Sequence, residues 1–177
     1  MQVDLSSNFF DLFGLSVGFS VDESTLIERF RELQKQLHPD KYASASDAER
    51  RWSMQAASFV NEGYQTLGDD LKRAIYLLGL NGISTDEETD TQMAPDFLME
   101  QMEYREALEA ASSAADPYVS IDKVRKQLRA GVKEQYASFD NAAQSLSWDK
   151  ARTVVRQWQF LDKLGRELKY LEERLDE

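Results

Sequence analysis

The chain holds 177 residues, room for one medium domain or two small ones, and its 42% hydrophobic content is enough to pack them. A net charge of −11 offers no basic footprint for a phosphate backbone, which excludes nucleic acid as a partner. The absence of cysteine removes disulfides, thiol catalysis and thiolate metal sites, and fits a reducing cytoplasm.

The opening MQVDLSSNFFDLF places no basic residue ahead of its apolar stretch, so it does not read as a signal or transit peptide. Phe9, Phe10, Leu12, Phe13 and Leu15 then cluster before Gly14 and Gly18, as in a brief amphipathic turn packed on something larger. Asp22 offers its carboxylate as an N-cap for a helix running to about Leu37. Leu26, Phe30, Leu33 and Leu37 fall on one stripe of that helix, and Pro39 stops it by forcing His38 out of helical geometry. A polar loop, Ala43 to Asp47, leads to a second helix from about Ala48, with Trp52, Ala56, Val60, Gly63 and Leu67 on one face. Two such stripes predict an antiparallel hairpin. A further segment, Asp69 to Leu80, carries Leu71, Ala74, Ile75 and Leu78 and leads out of it. Its apolar run, interrupted by Gly79, is far too short to span a membrane.

Residues 81–95 change character: Gly82, Ser84, Thr85 and the acidic run Asp86, Glu87, Glu88 and Asp90 mark a solvated linker. Pro95 suits a first helical turn, because its missing N–H needs no partner there. Three helices follow. The first runs to about Ala111; the second, from about Asp116, bears Ile121, Val124, Leu128, Val132, Gln135 and Phe139. The third, from Ser147, bears Ala151, Val154, Trp158, Leu161, Leu168 and Leu175. With only eight glycines and three prolines to break it, the chain reads as all-α, its second half an antiparallel three-helix bundle.

Enzyme chemistry finds little footing. There is one histidine, no glycine-rich phosphate cradle and no carboxylate–histidine metal spacing, so no cofactor, no metal and no catalytic residue is expected. The informative segment is His38-Pro39-Asp40-Lys41. Alone, it is a helix-stopping turn in which Asp40 bonds local backbone. Its setting is more specific: FFDLFGL at 9–15, a helix ending in HPDK, then NEGYQTL at 61–67 and LKRAIYLL at 71–78.

In order and spacing these segments resemble the J-domain. The resemblance implies that His38, Pro39 and Asp40 dock on an ATP-bound DnaK-type chaperone and trigger hydrolysis there. It implies also that Arg29, Arg31, Lys35 and Lys41 meet an acidic surface of that partner. The physics agrees: proline stiffens the turn, a ring donor and a carboxylate acceptor can reach across, and basic residues steer encounter. Glu28 and Glu32 dilute the basic patch, which suits a specialised chaperone, and the same charges can pair locally at i,i+3 or i,i+4.

On a helical wheel of the first C-terminal helix, Phe97, Tyr104, Leu108 and Ala111 form the core stripe. Leu98, Met99 and Met102 lie off it, bordered by Glu103 and Glu106, and Phe160 lies off the stripe of the third helix. Such a patch either binds a protein, packs on the N-terminal domain, or widens the bundle core. The stretches FLMEQMEYRE at 97–106 and WQFLDKL at 158–164 resemble the HscB family of J-type co-chaperones, over nearly the whole chain. That resemblance implies a partner chaperone, HscA, and a client, the iron–sulfur scaffold IscU, held by Leu98, Met99, Met102, Glu103, Glu106 and Phe160. Met102 departs from the leucine usual in the family, a nearly volume-conserving swap. Eukaryotic relatives often add a cysteine-bearing zinc extension; its absence makes this look bacterial. A cytoplasmic protein, monomeric when free, is expected. The expected organisation is a J-domain over 1–80, a linker over 81–95 and a client-binding three-helix domain over 96–177. A J-domain protein with a different client is the alternative.

Overall fold

The computed structural model describes residues 3–85 and 95–176. Among these, all regular structure is helical: seven α-helices and one 3₁₀ turn. The chain divides into two compact units, Met1–Leu77 and Leu78–Glu177.

In the first unit, α1 (Phe9–Phe13) is capped by the Asn8 side chain, which accepts from the Asp11 amide at 2.9 Å. It ends on Gly14, whose φ of +66° is left-handed and costs glycine little. Helix α2 (Glu23–Gln36) starts where the Asp22 carboxylate accepts from the Ser24 and Thr25 amides. The Ser24 hydroxyl, then the Thr25 amide and hydroxyl, hold that carboxyl down at about 2. Helix α3 (Asp47–Gly68) opens with a reciprocal capping box, Ser46 bonding the Glu49 amide and Glu49 the Ser46 amide. Helix α4 (Asp70–Leu80) closes the unit's sequence, and the division between units falls inside it.

Pairing fixes the hairpin's direction. Phe30 stacks on Tyr64 with centroids 3.9 Å apart, and Gln34 donates to Asn61, so α2 and α3 run antiparallel. Leu26, Leu37, Ala56, Val60 and Leu67 are buried, as the stripes predict. Gly63 lets α1 approach: a Cβ there would stand 2.9 Å from Phe9 Cδ1 and 3.1 Å from Phe13 Cε2. Phe9 also stacks on Tyr76, whose hydroxyl accepts the Phe9 amide at 2.9 Å.

Arg73 is the unit's buried charge, 4% exposed. Its Nε donates to the Phe19 carbonyl at 2.7 Å, Nη1 donates to the Leu67 carbonyl, and Nη2 pairs with Asp70. The guanidinium also lies 5.2 Å from the centre of the Phe19 ring.

In the second unit α5 (Pro95–Ser112) begins on proline as expected. Helix α6 (Pro117–Gln144) is capped by Asp116, and α7 spans Trp148–Leu175. Tyr136 meets Trp158, Arg125 pairs with Glu172, and Tyr118 donates to Asp176, so α6 and α7 are antiparallel. Phe97 meets Phe160 edge-on, while Leu108 lies beside Leu171 in one groove; α5 therefore runs parallel to α7. Up, down, up is the bundle. Its core holds Ala111, Ile121, Val124, Leu128, Leu161, Leu164 and Leu168. The acidic stretch over 86–94, most of the expected linker, lies outside the described residues.

Candidate functional site

The HPD turn is built from its two flanks. On one side α2 ends with Leu37 buried; on the other the Tyr42 ring packs 6.3 Å from that of Trp52 on α3. Between these anchors Pro39–Tyr42 winds as a 3₁₀ turn with proline at its first position, where a missing N–H costs nothing. The turn closes on itself. Asp40 donates its amide to His38 Nδ1 at 3.3 Å, and Lys41 donates its amide to the His38 carbonyl at 3.0 Å.

What remains exposed is polar and able to hydrogen-bond. The His38 side chain is 59% exposed and that of Asp40 is 90% exposed. With Nδ1 accepting from Asp40, the neutral ring carries its proton on Nε2, a donor left for a partner. Asp40 Oδ2 stands 3.5 Å from Nδ1. One short turn thus presents a donor, a stiff ring and an acceptor.

His38 and Pro39 lie at the end of a groove between α2 and α3 of about 520 Å³. Arg31 and Lys35 line it from α2, Ala57, Val60 and Asn61 from α3. The contribution of α3 was missed from sequence, although Asn61 stands in the NEGYQTL segment that supported the resemblance. Arg29 does not join this group. It forms an i,i+3 ion pair with Glu32 at 2.9 Å and lines a different groove, with Val3, Asp11 and Leu33. Arg31 is two positions on from Arg29, which points the two side chains about 160° apart on a helix. Lys41 is exposed on the turn itself, outside the groove's lining.

The second surface lies on α5. Phe97, Tyr104, Leu108 and Ala111 face inward, as the wheel predicts, and burial pushes the Tyr104 hydroxyl above its ordinary pKa. Leu98, Met99 and Met102 are 48%, 63% and 62% exposed, and Glu103 and Glu106 are exposed beside them. Large apolar side chains grouped in water on one helix are of the kind that marks interaction sites. Phe160 behaves differently. It is half-buried, packs on the bundle core and meets Phe97 edge-on with centroids 5.7 Å apart. The structure therefore joins it to α5 through Phe97, so it both widens the core and keeps an accessible side. No group of metal-ligating side chains occurs among the described residues, and no described helix is long and apolar enough to cross a membrane.

Both halves of the chain match known families. Residues 8–76 match the family model described as the DnaJ domain, and residues 93–169 the one described as the HSCB C-terminal oligomerisation domain. A co-chaperone protein HscB homolog of Vibrio cholerae is 40% identical over 168 residues, spanning 95% of this chain and 98% of its own. Another, of Burkholderia mallei, is 41% identical over 175 residues and 99% of each chain. The solved structure of chaperone HscB from Vibrio cholerae matches with a TM-score of 0.85 at 38% identity, covering 96% of this chain and 99% of the other. The crystal structure of human co-chaperone protein HscB matches with a TM-score of 0.88 at 28% identity, covering 96% and 84%.

Proposed function

Because this chain belongs to the HscB family of J-domain co-chaperones, we propose that it stimulates the ATPase of a dedicated DnaK-type chaperone, HscA, and delivers the scaffold IscU to it. The delivery serves iron–sulfur cluster assembly and transfer in the bacterial cytoplasm. The chemistry takes place in the partner.

The observation that carries this reading is the pairing of two unlike exposed surfaces on one chain. One is the self-closed His38-Pro39-Asp40 turn beside a groove holding Arg31 and Lys35. The other is the apolar face of α5, in the second compact unit. The first suits an acidic chaperone surface, met through charge and then through the turn. The second, with Leu98, Met99, Met102 and Phe160 rimmed by Glu103 and Glu106, suits the client. Carrying both raises the client's effective concentration at the chaperone without any new contact.

The test is steady-state ATP hydrolysis by purified HscA with this protein, with and without IscU. Stimulation that rises further with IscU, and vanishes in His38→Gln while helicity is kept, supports the reading. Folded protein that leaves HscA unstimulated refutes it. Stimulation that IscU never enhances leaves a J-domain protein with another client.

A further inference from the structure

The chain has five methionines and no cysteine, so thioethers are its only sulfur. Met1 and Met93 lie outside the described residues. The other three are all on the surface: Met54 on α3 is 72% exposed, and Met99 and Met102 on α5 are nearly as open. Buried methionine is the common case, because the side chain is apolar and adaptable. Here none of the described ones is spent on a core.

Two of the three sit three residues apart on the one face proposed to hold the client. They sit among Leu98, Glu103 and Glu106, where an aliphatic residue would supply the same apolar area without oxidisable sulfur. Exposure governs how readily a thioether meets a peroxide. We propose that Met99 and Met102 form a reversible oxidation site that lowers the chain's affinity for its client. The inference rests on the reading of α5 as the client-binding face.

The step balances with a peroxide as oxidant. The thioether sulfur attacks one peroxide oxygen, the O–O bond breaks, and a sulfur–oxygen bond forms. Sulfur is oxidised by two electrons and hydrogen peroxide is reduced to water. The product is polar and chiral, and methionine sulfoxide reductases return it to the thioether. A sulfoxide oxygen pressed into an apolar interface without a donor loses its hydration uncompensated. Glu103 and Glu106, four residues on from Met99 and Met102, carry carboxylates, which only accept hydrogen bonds; the exposed Arg105 is a donor on the same helix that can offset part of the cost at Met102. Bound client shields the sulfurs, so oxidation selects the unloaded chain.

The experiment treats the full chain with hydrogen peroxide, free and in complex with purified IscU. Peptide mass spectrometry follows oxygen gain at each methionine, and calorimetry follows IscU binding. The expected result is that all three exposed methionines oxidise in the free chain, while IscU slows Met99 and Met102 but not Met54. The oxidised chain binds IscU about tenfold or more weakly, and methionine sulfoxide reductase restores it. A Met54→Leu variant shows the same loss. In a Met99→Leu, Met102→Leu double variant the affinity, whatever its starting value, no longer responds to peroxide. Oxidation at both positions with affinity changed less than about twofold overturns the inference but leaves the client assignment standing. Persistence of the loss in the double variant also overturns it. Failure of the untreated chain to bind IscU removes the client assignment, and this inference with it.

Discussion

Replacing Arg73 by alanine tests whether one buried guanidinium holds the N-terminal unit together. The side chain donates to the carbonyls of Phe19 and Leu67, residues that are 3% and 0% exposed. Stranding a buried carbonyl costs about 1–3 kcal/mol. Losing the cation beside the Phe19 ring adds about 0.5–1 kcal/mol. The Asp70 carboxylate is half exposed and re-solvates on release, so its share is small. Together these give about 2.5–7 kcal/mol, which brackets the roughly 3–5 kcal/mol for breaking a buried ionic network by removing one partner. A unit of 77 residues has about 4–12 kcal/mol in all, at roughly 0.05–0.15 kcal/mol per residue. The variant is therefore marginal. Urea unfolding, with hydrogen exchange of the α2 to α4 amides read in parallel, should show the midpoint falling by about 1.5 M or more. Arg73→Met, which keeps the stem and loses the donors, should fall nearly as far. Arg50→Ala, which breaks only an exposed i,i+3 pair with Asp47, should stay within about 0.5 kcal/mol. An Arg73→Ala chain within about 1 kcal/mol of the parent would refute the reasoning, since the two carbonyls would then be satisfied otherwise.

Gly63→Ala sets a helix-propensity gain of about 1 kcal/mol against overpacking of about 1–3 kcal/mol. The Phe9 ring it strikes is already stacked on Tyr76 and tilted on Phe59, so net destabilisation is expected in the same urea assay; a stabilised variant would show that α1 yields freely. Arg31→Ala and Lys35→Ala should each weaken stimulation of the partner ATPase several-fold, with a salt-dependent component, whereas Arg29→Ala should change it little. Equal effects at all three positions would contradict the grouping in the α2–α3 groove. The Asp22 cap has a folded pKa of about 2 against an ordinary 3.8. Its stabilisation is thus fully present above the ordinary value and lost as pH falls through the folded one. The urea-midpoint gap between parent and Asp22→Ala should accordingly close from pH 5 to pH 2, and a gap independent of pH would rule the cap out as its source. Leu98→Ser should lower IscU affinity without moving the unfolding midpoint by more than about 0.5 kcal/mol, because the side chain is already half in water; loss of stability would make it a packing residue instead.

Local signals made most of the fold legible. Asp22, Pro95 and Asp116 mark helix starts where the structure has them, and Pro39 ends α2 as its ring requires. The stripes from Leu26 to Leu37 and from Ile121 to Phe139 are inward-facing because helical period alone decides which side chains meet a neighbour. What depends on distant partners was not legible. Nothing near Arg73 in sequence says that its nitrogens reach the carbonyl of Phe19, 54 residues away. The division of Arg29 from Arg31 and Lys35 was available in principle from the helical angle. Net charge along a segment obscures it, since all three share one short basic stretch. Phe160 shows a third limit: its wheel angle places it off the main stripe, but the neighbouring α5 brings Phe97 over to meet it.

The HPD turn draws its shape from its own backbone and from Leu37 and Tyr42; just beyond it Ala45 donates its amide back to the Tyr42 carbonyl at 3.1 Å, while the Ser44 side chain stands exposed. Together with the absence of cysteine, this gives a place for a spectroscopic reporter. A single thiol introduced at the exposed Ser44 can be labelled uniquely, two residues from an anchored ring and four from the Asp40 carboxylate. A dye there would move from water to shadow as the chaperone arrives. Arrival and ATP hydrolysis, which a steady-state rate merges into one number, then become separately visible in time.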